Sequence, residues 1–202
     1  MTDANLAYLS LLFLFPLVLL VVLYLIARPR PVKVPIKNRH VFITGGSSGI
    51  GLALAHRAAS EGARVSILAR SIDKLEAAKQ EILLATGIDV AVFAADVRDY
   101  DALSRAVEEA GPIDVLVVNQ GVFVPQELEK QGLDEVKFML DVNLMGAFNM
   151  VKAALPAIKL QRRDRGPGSI ALMSSQAGQV RRTTTFPYSI QWRYRHNLNN
   201  SI

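Results

Sequence analysis

The chain has 202 residues, half of them hydrophobic, no cysteine and a formal charge of +5. Without cysteine a disulfide framework and a thiolate metal site are excluded, and no other metal site is expected. Much of the positive surplus lies in residues 28–39 and in the last quarter of the chain, without interleaved stacking aromatics, which argues against nucleic-acid binding.

Leu6 to Ala27 is a run of about 22 residues without a charge. At ~1.5 Å per residue it is long enough to cross a hydrocarbon layer of ~30 Å, and Pro16 is tolerable in a spanning helix. A cleaved signal peptide is the competing reading. Against it stand Asp3, the absence of Lys or Arg from residues 1–5, the length of the run and the lack of a small-x-small cleavage site. Arg28, Arg30, Lys33, Lys37 and Arg39 follow closely, so the positive-inside rule places what comes after on the cytosolic side. Pro29, Pro31 and Pro35 make that stretch an extended linker. The expected plan is a lumenal stub at 1–5, an anchor at 6–27, a basic linker at 28–39, a nucleotide-binding domain at 40–179 and a tail at 180–202.

Beyond the linker, short apolar runs alternate with amphipathic stretches. Strands are predicted at His40–Thr44, Arg64–Ala69, Val90–Ala95, Val115–Asn119 and Ser169–Ser174, each nearly continuously apolar, as suits parallel strands covered on both faces. Helices are predicted at Ile50–Glu61, Ile72–Ala85, Asp99–Ala110 and Leu133–Leu160, with Gly62 and Gly111 as stops. The order reads as an α/β, doubly wound parallel sheet of Rossmann type.

The first strand runs into Thr44-Gly45-Gly46-Ser47-Ser48-Gly49-Ile50-Gly51, and a helix follows. A dinucleotide diphosphate needs exposed backbone N–H groups, a helix N-terminus and no Cβ in its way. Gly45 suits the tight turn, Gly49 the close approach of phosphate and Gly51 the packing of helix on sheet. Gly45, Ser47, Ser48, Gly49, Ile50 and Gly51 are therefore the cradle candidates. A ligand-free Gly/Ser turn is the bland alternative, weakened by the strand–turn–helix placement.

The spacing T-G-x-x-x-G-x-G resembles the short-chain dehydrogenase/reductase family, and further motifs follow in that family's order. Where NAD enzymes carry an acid for the ribose 2′-hydroxyl, this chain has Arg70, with Lys74 one turn on. A guanidinium grips a 2′-phosphate that an acid would repel, so NADPH/NADP+ is the expected cofactor. A solvated surface role for Arg70 is the alternative. The resemblance assigns Asp96 and Val97 to the adenine. It places Asn119 and Gly121 in the family's Asn-Ala-Gly loop, with Gln120 departing from the pattern, and gives Asn143 a water of the proton relay. It also gives Ser175 the substrate carbonyl. Thirteen residues further, Tyr188 stands at the catalytic Tyr position, but the Lys expected four residues later is Trp192. Carbonyl reduction needs a proton on oxygen, and a Tyr of pKa about 10 without that Lys is poorly tuned to relay it.

Within that family, the apolar start, the Pro-rich basic linker, His-Val-Phe-Ile-Thr-Gly-Gly-Ser-Ser-Gly-Ile-Gly, Val-Ser-Ile-Leu-Ala-Arg, Val-Asn-Gln-Gly-Val-Phe and Ser-Ser-Gln-Ala-Gly-Gln look like the 3-ketosphinganine reductases, chiefly those of plants. This implies NADPH-dependent reduction of a long-chain 3-keto sphingoid base to sphinganine at the cytosolic face of the endoplasmic reticulum membrane. It also implies a homodimer built through two long helices, one of them missing here. The likeness stops at Gln179: the sheet is expected to be incomplete on its C-terminal side, and residues 180–202 to be translated intron behind a splice donor. The competing expectation is a catalytically inactive, membrane-anchored NADP(H)-binding or interaction module.

Overall fold

The computed structural model describes residues 3–27 and 34–175. The chain divides into two units, Met1–Lys33 and Val34–Ile202. The first unit contains helix α1, Asp3–Ala27, with Pro16 inside it. Its 25 residues span ~37 Å. Leu14 to Ala27 forms an apolar stretch, whose large side chains are exposed on every side of the helix. A helix apolar all round suits a nonpolar medium rather than a half-wet surface.

The described residues of the second unit form a five-stranded parallel sheet in the order β3-β2-β1-β4-β5. Its elements are β1 His40–Thr44, α2 Gly49–Ser60, β2 Arg64–Ala69, α3 Ile72–Thr86, β3 Ala91–Ala94, α4 Tyr100–Ala110 and β4 Val115–Val118. A 3-10 turn at Leu128–Lys130, α5 Leu133–Leu140, α6 Gly146–Arg165 and β5 Ser169–Leu172 follow. All five predicted strands are present, β3, β4 and β5 shorter than expected. The predicted helix at Leu133–Leu160 is interrupted by a π-helical turn at Asp141–Met145 and runs on to Arg165, with Pro156 accommodated inside it. Among the described residues this segment is long and apolar enough to cross a membrane by length and composition. Its buried face, with Ala147, Met150, Ala154 and Ile158, belongs instead to the core.

Every residue of β1 is buried, so alternate side chains feed opposite faces of the sheet. Phe42 joins Leu103, Val107, Leu116 and Met150 beneath α4 and α6. Val41 and Ile43 join Ala55, Ala59, Leu75 and Ile82 beneath α2 and α3. Phe42 also stacks on Phe93 with ring centroids 5.7 Å apart. Each such fully buried side chain contributes about 1.5–3 kcal/mol, so the two-sided core rests on this one strand. Ser71 and Asp99 cap α3 and α4 by accepting the N–H groups of Lys74 and Ala102. Gly62 and Gly111, the predicted stops, follow α2 and α4 with φ of 79° and 74°.

The sequence order reverses between β1 and β4: the chain winds outward from β1 to β3, then crosses back to begin on β1's other side. In an open parallel sheet, the crevice at such a switch point, beyond the carboxyl ends of the strands, is where ligands bind.

Candidate functional site

A cavity of about 670 Å³ opens at that switch point. It is walled by the residues following β1, β2, β3 and β4. Ten of the expected cofactor contacts line it: Gly45, Ser47, Ser48, Ile50, Arg70, Lys74, Asp96, Val97, Asn119 and Gly121. Gly49 and Gly51 stand in the first turn of α2 and are not on the cavity wall.

The loop after β1 is tied down from both sides. Gly45 N–H donates to Leu68 O of β2 at 2.7 Å. Across the switch, Asn119 Nδ2 donates to Gly45 O at 3.3 Å, and Asn119 N–H donates to Thr44 Oγ1 at 2.9 Å. The Thr44 hydroxyl donates a hydrogen bond to Gln120 Oε1 at 2.5 Å. Gln120, which departs from the family's Ala, thus folds its buried side chain onto β1 and links the two loops. Gly45 turns at φ 65°, in the left-handed region that a Cβ disfavours. At Gly51 an added Cβ would sit 2.1 Å from Gly45 O and 2.5 Å from Asn119 Nδ2, so any side chain there displaces the cradle. Gly46, which the glycine spacing does not single out, is also tight: its Cβ would lie 2.6 Å from Ile67 Cγ2.

Helix α2 starts at this loop with Ser48 at its N-cap. The Ser48 side chain makes no capping bond, and the first turn holds no acid. The N-terminal N–H groups and the positive end of the helix dipole therefore face the cavity without a built-in anion. This set of residues fits a diphosphate. At the far end, Arg70 closes β2 and Lys74 stands in the first turn of α3, both exposed and both on the cavity wall. Neither forms an ion pair among the described residues.

Asp96, after β3, is gripped by a residue absent from the sequence-based candidates. Arg98 donates from Nε to both carboxylate oxygens at 3.1 Å, from Nη2 to Oδ2 at 2.7 Å and from its backbone N–H to Oδ1 at 3.0 Å. These bonds, with smaller help from the charges of Arg98 and Arg70, outweigh desolvation and hold the Asp96 carboxyl below its usual range. The Asp-x-Arg spacing was the available signal. Val97 is buried against the entry of α6: a Cβ on Gly146 would meet Val97 Cγ2 at 2.6 Å, and Asn149 Nδ2 donates to Val97 O at 3.1 Å.

Asn143 lies in the π-helical turn, fully buried. Its Oδ1 accepts the N–H of Val122 at 2.7 Å while Nδ2 donates to Val122 O at 2.8 Å. This two-pronged bond locks the Asn119–Val122 loop to the helix. A π turn of this sort frequently marks a functional position. Ser175 follows β5, partly buried, and is not among the residues lining the cavity. Tyr188 and Trp192, the expected catalytic Tyr and the residue in place of the Lys, lie outside the described residues.

The fold is shared with solved enzymes. A short chain dehydrogenase from Mycobacterium paratuberculosis bound to NAD superimposes with a TM-score of 0.74 at 28% identity, over 82% of this chain and 66% of that one. L-Sorbose reductase from Gluconobacter frateurii, solved with NADPH and L-sorbose, gives 0.72 at 26% identity, over 81% and 62%. In sequence, a 3-dehydrosphinganine reductase of Arabidopsis thaliana is 70% identical over 165 residues, which are 82% of this chain and 50% of the relative, so the chain spans half of that protein's length. The short chain dehydrogenase family model matches residues 39–190. A parallel sheet that switches direction over a glycine cradle, taken with that match along three-quarters of its length, makes this chain a member of the short-chain dehydrogenase family.

Proposed function

We propose that the chain holds NADP(H) for the reduction of 3-ketosphinganine to sphinganine. The observation that carries this reading is the pairing of an uncapped, acid-free helix start with Arg70 and Lys74 at the far end of one cleft. The first matches a diphosphate, and the second matches a 2′-phosphate that plain NAD lacks. The substrate class rests on the likeness to the Arabidopsis reductase. When bound, the nicotinamide supplies the hydride. The chain's own part is to hold the diphosphate at Gly45–Gly51, fix the Asn119–Val122 loop through Asn143, and present Ser175 to the carbonyl oxygen and Tyr188 as the donor of the proton that this oxygen takes up. Helix α1 anchors the protein in the endoplasmic reticulum membrane, with the sheet unit on the cytosolic side, where an alkyl substrate dissolved in the bilayer is in reach.

Trp192 favours a second reading, nucleotide binding without turnover, because an indole carries no charge to lower the Tyr188 pKa. The test is to titrate the full chain in detergent micelles with NADPH and NADH, then follow NADPH consumption with a short-chain 3-ketosphinganine analogue. Tighter binding of NADPH with turnover supports reduction. Binding without turnover selects the second reading, and no preference between the nucleotides sinks the cofactor assignment.

A further inference from the structure

Arg98 belongs to no part of the proposed chemistry, yet it makes four hydrogen-bond contacts to Asp96 on the cavity wall. A carboxylate offers about four acceptor positions. Arg98 fills most of those of Asp96, with a forked Nε–H, an Nη2–H and the backbone N–H. The guanidinium is itself held from the other side: its central carbon lies 5.2 Å from the centroid of the Phe138 ring on α5. The carboxylate is thus aimed rather than loose, with its side chain about one-quarter exposed on the cavity wall. What remains is room for a single further donor.

The family resemblance already assigns Asp96 to the adenine, and its place in the cleft agrees with that. A diphosphate at the start of α2 and a 2′-phosphate at Arg70 and Lys74 leave the adenosine base over the carboxyl ends of β2 and β3, where Asp96 stands. The only N–H donor on the edge of adenine is its exocyclic amine. We propose that Arg98 is a positioning residue that aims Asp96 at this amine and so makes the site selective for an adenine base. The inference rests on the dinucleotide reading above and assigns the specificity of its base end. Phe138 makes the device span two elements, since α5 backs the guanidinium that the strand end uses.

The test compares NADPH with its hypoxanthine analogue, in which a carbonyl replaces the amine. A charge-assisted hydrogen bond traded for a carbonyl facing a carboxylate changes affinity by about tenfold or more. The full-length wild-type chain in micelles is expected to prefer NADPH by that factor. Arg98→Gln is expected to cut the preference below about threefold while leaving the preference for NADPH over NADH intact. Arg98→Lys keeps the charge but not the fork, and is expected to behave like the Gln variant. In parallel, the Asp96 carboxyl, followed by NMR, is expected to titrate closer to the usual aspartate range in Arg98→Gln. An unchanged adenine preference in both variants overturns the assignment of Arg98. So does an equal loss of affinity for both bases, which marks Arg98 as merely structural. Failure of the wild type to bind either nucleotide overturns the dinucleotide reading itself, on which this one stands.

Discussion

The two ends of the sheet are both rich in polar groups and put them to opposite uses. At the amino end, Asp114 is 1% exposed and is satisfied from within the protein: its carboxylate accepts the N–H of His40 at 2.8 Å, Arg39 Nη1 at 3.2 Å and Arg165 Nη1 at 3.5 Å. His40, also buried, has Nδ1 2.7 Å from Pro112 O and Nε2 2.7 Å from Ser66 Oγ. At the carboxyl end, Arg70 and Lys74 line a cavity and form no ion pair among the described residues, and the first turn of α2 is uncapped by a side chain. One end spends its hydrogen bonds on closing the sheet. The other keeps donors and positive charge in reserve, which is the electrostatic condition for holding an anion.

If that division is right, damage at the amino end should move stability and spare affinity. Asp114→Ala removes the shared acceptor of Arg39, Arg165 and the buried His40 N–H, and is expected to cost about 3–5 kcal/mol. Urea unfolding measures this, and the NADPH dissociation constant of the folded fraction is expected to stay within twofold of wild type. A large loss of affinity would mean that the two ends are coupled.

His40 sharpens the same contrast through pH. Burial, reinforced by the nearby Arg64 charge and only partly offset by the Pro112 carbonyl and Asp114, lowers its pKa from 6.5 to about 4. Above pH 6.5 the imidazole is neutral in both folded and unfolded chains and contributes no pH dependence. Between 6.5 and 4 the unfolded chain takes up a proton that the fold refuses, so stability falls as pH falls. The loss approaches about 3 kcal/mol near pH 4 and then levels off. Denaturant midpoints at pH 7.5 and 4.5 should show this drop in wild type and a shallower one in His40→Asn.

The smallest of these effects is at the carboxyl end and shows in affinity alone. Arg70→Glu is expected to weaken NADPH binding by about a hundredfold, on the scale of a charge-assisted pair replaced by repulsion, with NADH affinity little changed or improved. Thermal stability without nucleotide should stay within about 0.5 kcal/mol of wild type, as usual for an exposed position. A comparable loss for both nucleotides would place Arg70 outside the 2′-phosphate site.

Much of this was legible in one dimension. Apolar runs of strand length, amphipathic stretches between them and glycines at the first turn are consequences of local backbone sterics and two-sided burial. They therefore yielded the parallel sheet and the cradle, while Asp96, Val97, Asn119 and Gly121 of the cavity wall came from the family resemblance. Arg70 was readable because a strand end fixes where its next residue points. Other features resisted. The two-pronged bond of Asn143 to the backbone of Val122 and the stitching of β4 to β1 by Gln120 each join residues far apart in the sequence. The break in the long helix at Asp141–Met145 leaves no mark in the hydrophobic period.

The sequence alone determined the class of fold, the phosphate loop and the sign of the charge at the end of β2, because each depends on residues a few positions apart. Only the tertiary structure decided that Gly51 cannot carry a side chain, since the atoms it would strike belong to Gly45 and, 68 positions away, to Asn119. Only the fold, likewise, seated Arg98 on Phe138 and sealed Asp114 between Arg39 and Arg165. Close packing brings distant residues within ångströms of one another, and neither periodicity nor spacing records which ones will meet.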